Sequence, residues 1–240
     1  MLLEVKDLNI SLTSEKSVAE HISFRLGQGE MLSIVGSSGA GKTTICKAIM
    51  GLLGNTYRAD GEILFQGEDL LDLPERKRQT IYGKEICLIM QNPMTAFNPS
   101  IRVGRQMEKT YLLHHGKTPR QEMQRLFAAI LQKLGLEDTQ RILNSYPFTL
   151  SGGMLQRLMI AAALMCQPAL LVADEATTAI DACNRIGLMR ELKSFCKDGM
   201  SVLFVTHDLR SASVSDRILV MDRGQIVEQG KTEQILNTPD

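Results

Sequence analysis

A chain of 240 residues is long enough to bury a full core, and 27 basic residues balanced by 27 acidic ones lack the overall positive charge of a typical nucleic-acid binder. Five cysteines (Cys46, Cys87, Cys166, Cys183, Cys196), odd in number and never in C-x-x-C spacing, point to reduced thiols and away from a zinc site. No apolar stretch reaches bilayer length and the alternating start lacks a signal peptide's apolar core, so any membrane role is expected to come through partners.

In chain order, residues 2–10, 17–26, 31–35, 61–65 and 85–90 read as short strands. Between the third and fourth lies Gly36-Ser37-Ser38-Gly39-Ala40-Gly41-Lys42-Thr43, which fits G-x-x-x-x-G-K-[ST] and leads into a helical run over 44–53. Glycines at 36, 39 and 41 let the backbone take conformations closed to other residues, so that successive N–H groups from Gly39 to Thr44 converge on phosphate oxygens. Lys42 adds a point charge, the following helix aims its positive end at the same anion, and the Thr43 hydroxyl suits a Mg²⁺ that travels with a nucleotide.

The pattern turns helical over 103–166. Within 119–134, Met123, Leu126, Phe127, Ile130, Leu131 and Leu134 form the stripe of an amphipathic helix that starts at a proline. Strands and helices then alternate: a strand over 169–173, a helix after Asp181, a strand over 201–206, and a final pair at 218–221 and 225–228. No repeat or low-complexity linker interrupts the chain, and the helical block divides one α/β core.

Two further constellations carry chemistry. The run Leu170-Leu171-Val172-Ala173-Asp174-Glu175 suits a strand buried on both faces, with two carboxylates at the end where α/β sheets bind ligands. Asp174 can hold Mg²⁺ directly or through water, and Glu175 can polarise the water that attacks a γ-phosphorus. Alone, such a strand end is as readily two solvated carboxylates; the neighbouring phosphate cradle decides for chemistry. In Leu150-Ser151-Gly152-Gly153-Met154-Leu155-Gln156-Arg157, Ser151 is a good N-cap and the glycines leave N–H groups open to an anion, so a second phosphate site is expected, completed by another molecule.

Cradle, Ser-Gly-Gly segment and Asp-Glu strand, in that arrangement and over nearly the whole chain, resemble the ATP-binding subunit of an ABC transporter. The resemblance implies an α/β fold: a P-loop NTPase (RecA-like) core with an N-terminal antiparallel β subdomain and an inserted helical subdomain. Residues 1–91 and 167–240 would make the core of a single ATPase domain, and about 92–166 the insertion. It implies ATP and Mg²⁺ as cofactors, Gln91 as the residue contacting Mg²⁺ and attacking water, Asp181 as a contact across a dimer, and His207 as the group that reaches the γ-phosphate. A lone histidine at a strand end is usually only a satisfied polar residue; its place after Glu175 reverses that expectation. Ser151, Gly152 and Gly153 would cap the nucleotide of a second, identical or homologous ATPase subunit in a head-to-tail dimer.

The resemblance further implies two membrane permease subunits, an indirect extracytoplasmic binding protein, no nucleic-acid partner, and a peripheral place on the cytoplasmic face of the inner membrane. The run Met90-Gln91-Asn92-Pro93-Met94-Thr95-Ala96-Phe97-Asn98-Pro99, with Tyr146-Pro147-Phe148, is similar to oligopeptide, dipeptide and nickel importer ATPases, most of all to the nickel-import subunit that pairs with a second ATPase. His114-His115 and the methionines of 154–165 are read as a solvated helix end and as core, not as metal ligands.

Three positions depart from the family pattern: Leu12 stands where an aromatic commonly stacks on adenine, with no Tyr or Trp nearby; Ala176 replaces the usual proline; and relatives often continue past Asn237-Thr238-Pro239-Asp240. A soluble ABC ATPase of translation or repair would usually carry paired cassettes or a coiled-coil insertion, and a P-loop kinase would have no use for the Ser151 segment.

Overall fold

The computed structural model describes residues 1–177, 180 and 182–237. The chain runs through Leu3–Leu12 (β1), Ser17–Leu26 (β2), Met31–Gly36 (β3), Lys42–Ile49 (α1), Tyr57–Phe65 (β4), Glu68–Asp69 (β5), Glu75–Ile81 (α2) and Ile86–Ile89 (β6). Four helices follow: Val103–His115 (α3), Arg120–Lys133 (α4), Thr139–Asn144 (α5) and Gly152–Leu164 (α6). The last stretch is Leu170–Asp174 (β7), Ala182–Cys196 (α7), Ser201–Thr206 (β8), Leu209–Ala212 (α8), Arg217–Asp222 (β9), Gln225–Lys231 (β10) and Thr232–Asn237 (α9).

Two sheets result. One is antiparallel, in the order β2-β1-β4-β5; the other has the order β10-β9-β3-β8-β7-β6 and is parallel except for the β9–β10 hairpin. The apolar runs of the second sheet arise because it separates two cores, so neither face is wet. Leu171, Ala173, Val202 and Phe204 point to the core beneath α3, α4 and α6. Their neighbours Leu170, Val172, Leu203 and Val205 point to the core shared with β1, β2, β4 and α1. β9 and β10 turn through Arg223 and Gly224, both at positive φ (44° and 84°), which matches the right-handed twist of a two-residue hairpin.

Several boundaries differ from the sequence expectation. Helix α1 ends at Ile49 rather than at residue 53, because Gly51 takes a left-handed φ of 64° just past the cap. Strand β4 begins at Tyr57, not at residue 61: its first half pairs with the end of β1, and its exposed Arg58 and Asp60 hide that pairing in the sequence. Gly61 sits where the β1–β4 register shifts, and a Cβ there would lie 2.5 Å from the carbonyl oxygen of Asp7. Helix α2 is unheralded because its residues are charged and only Ile81 is buried. The helices α8 and α9 are too short to show a period, though α8 carries an Asp208 cap that accepts from the Arg210 N–H.

Candidate functional site

In a parallel sheet the C-terminal ends of all strands share one edge, and here that edge collects the expected chemistry from four adjacent strands. The loop after β3 carries Lys42; β8, β7 and β6 lie successively beyond it, followed by His207, Asp174-Glu175 and Gln91 respectively. Strands spaced by about 4.8 Å bring side chains from neighbouring ends within hydrogen-bond reach.

The loop from Gly36 to Gly41 wraps back on itself. Gly39 and Gly41 stand at φ 84° and 94°, the Ala40 N–H donates to the Ser37 carbonyl at 3.2 Å, and α1 starts with no side-chain cap and no acidic residue in its first turn. Its N–H groups and dipole therefore favour an anion. Ser37, Ser38 and Gly39 are exposed, Thr43 is exposed at the start of α1, and Thr44 is half-buried one residue on. Lys42 is buried, its ammonium donating to the carbonyls of Gly36 and Ser37 at 2.8 Å each, so the charge is held under the loop. Burial pulls the Lys42 pKa down, against the opposing pull of the Glu175 and Asp174 carboxylates.

From α1, the Thr43 hydroxyl donates to Oδ1 of Asp174 at 3.1 Å, across the end of β8. Burial raises the Asp174 pKa, the Thr43 hydrogen bond and the Lys42 charge lower it, and the Glu175 carboxylate raises it. Hydroxyl and carboxylate oxygens side by side are the donor type a hard cation such as Mg²⁺ takes, so the pair fits that ion. Glu175 holds a left-handed φ of 49°, costly for a residue with a Cβ, while its N–H donates to the Val205 carbonyl at 2.9 Å. Its Oε2 accepts from Gln91 Nε2 at 2.8 Å, and its Oε1 lies 3.1 Å from Nδ1 of His207. One carboxylate is thus fixed from both sides, the arrangement that orients a general base toward one water position.

Of the expected site residues, the structure brings Gly36 to Thr44, Gln91, Asp174, Glu175 and His207 to one edge. Ser151, Gly152 and Gly153 stay apart: Ser151 caps α6, its Oγ accepting from the Met154 N–H at 3.3 Å, and among the described residues none of the three bonds to the loop. Asp181 lies outside the described residues. Ser151→Ala is expected to cost about 1 kcal/mol of stability through the lost cap. The shift of the urea midpoint measures it.

Some of this was not readable in the sequence. Tyr57 is the cross-strand partner of Leu12, so a ring does lie beside the position where no aromatic was expected. Asp208 gathers Ser211 Oγ at 2.7 Å and Arg185 at 3.4 Å behind His207; despite burial, these bonds and the Arg210 N–H hold its carboxyl below the usual range. His115 bonds to the Met165 carbonyl at 2.9 Å and stacks on Tyr111, so it braces the helices.

Sheet, cradle and acidic strand end define a P-loop nucleoside triphosphatase. The ABC transporter model matches residues 19–178, and the chain belongs to that family, an ATPase of the nickel, dipeptide and oligopeptide importer group. It is 40% identical to the metal-staphylopine import system ATP-binding protein CntD of Staphylococcus aureus, over 100% of this chain and 89% of that one. It is 41% identical to the oligopeptide transport ATP-binding protein OppD of Bacillus subtilis, over 99% of this chain and 68% of that one. Among solved structures, a dimeric ATP-binding cassette, MJ0796, bound to ADP and Pi, superposes with a TM-score of 0.84 at 27% identity, covering 96% of this chain and 99% of the other. Among the described residues no helix is long and apolar enough to cross a membrane.

Proposed function

We propose that this ATPase powers an importer for nickel or a related metal chelate. The similarity that carries the proposal is the one to the metal-staphylopine import protein, which runs over the whole chain. We infer a single ATPase domain with a core of residues 1–91 and 167–240 and a helical insertion over about 92–166. Two such subunits close head to tail at the cytoplasmic face of the membrane, beneath two permease subunits served by an extracytoplasmic binding protein. Nucleic acid has no part in the cycle.

Within each site, Lys42 and the N–H groups of residues 39–44 bind the phosphates. Mg²⁺, held by Thr43 and Gln91 with Asp174 behind them, supplies charge neutralisation on the phosphate oxygens. Glu175 orients and polarises water, and His207 reaches the γ-phosphate. Ser151, Gly152 and Gly153 cap the partner subunit's nucleotide, and Asp181 communicates across the dimer. The hydrogen bonds that Gln91 and His207 make to the two Glu175 oxygens support this division of labour.

A peptide importer is the second reading, favoured by the 41% identity to the oligopeptide protein. Disrupting the gene should abolish uptake of radiolabelled nickel or its chelate and leave labelled dipeptide uptake intact. The reverse outcome would establish the peptide reading, and recovery of the tagged protein with ribosomes rather than permeases would reject both.

A further inference from the structure

Two buried thiols take no part in the site described above. Cys87 lies in β6, on the strand that leads to Gln91, and Cys166 lies just past the end of α6, the helix that Ser151 opens. Their thiols hydrogen-bond to each other, and the Cys166 thiol also lies 3.6 Å from the Ala162 carbonyl. Both line a cavity of about 280 Å³ between β6, α3 and α6, walled by Phe97, His114 and Met159. Among the described residues no three His, Cys, Asp or Glu side chains come together to hold a metal ion, so the pair is a dithiol rather than a metal centre.

We propose that Cys87 and Cys166 are a redox modification site, which hydrogen peroxide closes to a disulfide that staples the sheet to the helical segment. The Cys166 sulfur attacks one peroxide oxygen, the O–O bond breaks, and the other oxygen leaves with the thiol proton as water. Cys166 is then a sulfenic acid. The Cys87 sulfur attacks the Cys166 sulfur, the S–O bond breaks, and the hydroxide takes the Cys87 proton as a second water. Two thiols and one peroxide give one disulfide and two waters.

The environment assigns the order. The hydrogen bond from Cys87 holds Cys166 below the usual thiol range against burial, and the same bond together with burial pushes Cys87 up, so Cys166 is the first nucleophile and Cys87 the resolving thiol. The cavity has room for a peroxide, since a water fills only about 30 Å³ of liquid.

Closure of the bond is independent of the proposed ATPase mechanism; its effect on turnover rests on that mechanism, in which the helical segment moves against the sheet. The test treats the whole protein with hydrogen peroxide, blocks free thiols, and maps peptides by mass spectrometry. The expected product joins the Cys87 and Cys166 peptides, is lighter than the reduced pair by about 2 Da, and is reversed by dithiothreitol. ATP hydrolysis should fall at least about threefold with the bond and recover with the reductant, as for a restrained conformational step. Cys87→Ala should instead leave Cys166 as a sulfenic acid that dimedone labels. Unlinked peptides after oxidation, or a linked pair with unchanged turnover, would overturn the proposal, and the wild-type map stands even if the variant misfolds.

Discussion

Replacing Glu175 by glutamine is expected to lower the turnover of ATP hydrolysis by about 10² to 10³-fold while leaving MgATP affinity nearly unchanged. The substitution isolates charge from shape. Glu175 accepts from Gln91 Nε2 at 2.8 Å through Oε2 and meets His207 Nδ1 at 3.1 Å through Oε1. A glutamine keeps the same length and can still accept from Gln91 through its carbonyl oxygen, and its amide can donate to the other histidine tautomer. Neither the left-handed turn at Glu175 nor its N–H bond to Val205 depends on the side-chain charge. What vanishes is the anion that polarises water. Binding should survive because Lys42 and the loop N–H groups are untouched. The measurement is steady-state phosphate release together with equilibrium nucleotide binding on the same preparation. Hydrolysis within about threefold of wild type in the assembled transporter would remove Glu175 from the chemistry, given that one preorganised catalytic group is worth far more. Weakened binding with normal turnover would move its role to holding nucleotide.

Much of this edge was legible before any coordinates, and the reason is physical. Positive φ at Gly39 and Gly41 and a buried ammonium at Lys42 are demands that few residue types meet, so they leave a pattern in the sequence. The apolar runs of β7 and β8 were equally plain because both faces of their sheet are dry. The parts that stayed hidden answer to looser demands. Strand β4 starts with alternating exposed side chains at Arg58 and Asp60, and only its ladder to β1 makes it a strand. The pairing of Tyr57 with Leu12 and the meeting of Cys87 with Cys166 join residues far apart in the chain, and composition carries no trace of such register. Ser151 was legible as a cap because capping is local, whereas what it meets beyond its own helix is not written in the segment itself.

The loop also makes a sharper demand on its first glycine than on its second, and a pair of substitutions separates the two. Gly36 closes β3 opposite Met221 of β9, and a Cβ there would lie 2.3 Å from the Met221 carbonyl oxygen, a collision with backbone that no rotamer relieves. The opposing strand cannot simply retreat, because β9 is hydrogen-bonded to β3 on one side and β10 on the other, and Met221 is buried. Gly36→Ala is therefore expected to cost about 3 kcal/mol, the upper part of the range for overpacking, and to lower the melting temperature by about 6 to 12 °C in a chain of this size. It should also weaken nucleotide binding, because the strand must shift where the Gly36 carbonyl receives the Lys42 ammonium. At Gly39 a Cβ meets nothing within 4 Å, and only the φ of 84° opposes it, so Gly39→Ala should cost about 1 to 2 kcal/mol for holding alanine left-handed. Calorimetric unfolding and nucleotide titration of both variants read these effects side by side. Equal losses at the two positions, or a Gly36→Ala protein melting within about 2 °C of wild type, would mean that the β3–β9 approach does not set the position of the cradle.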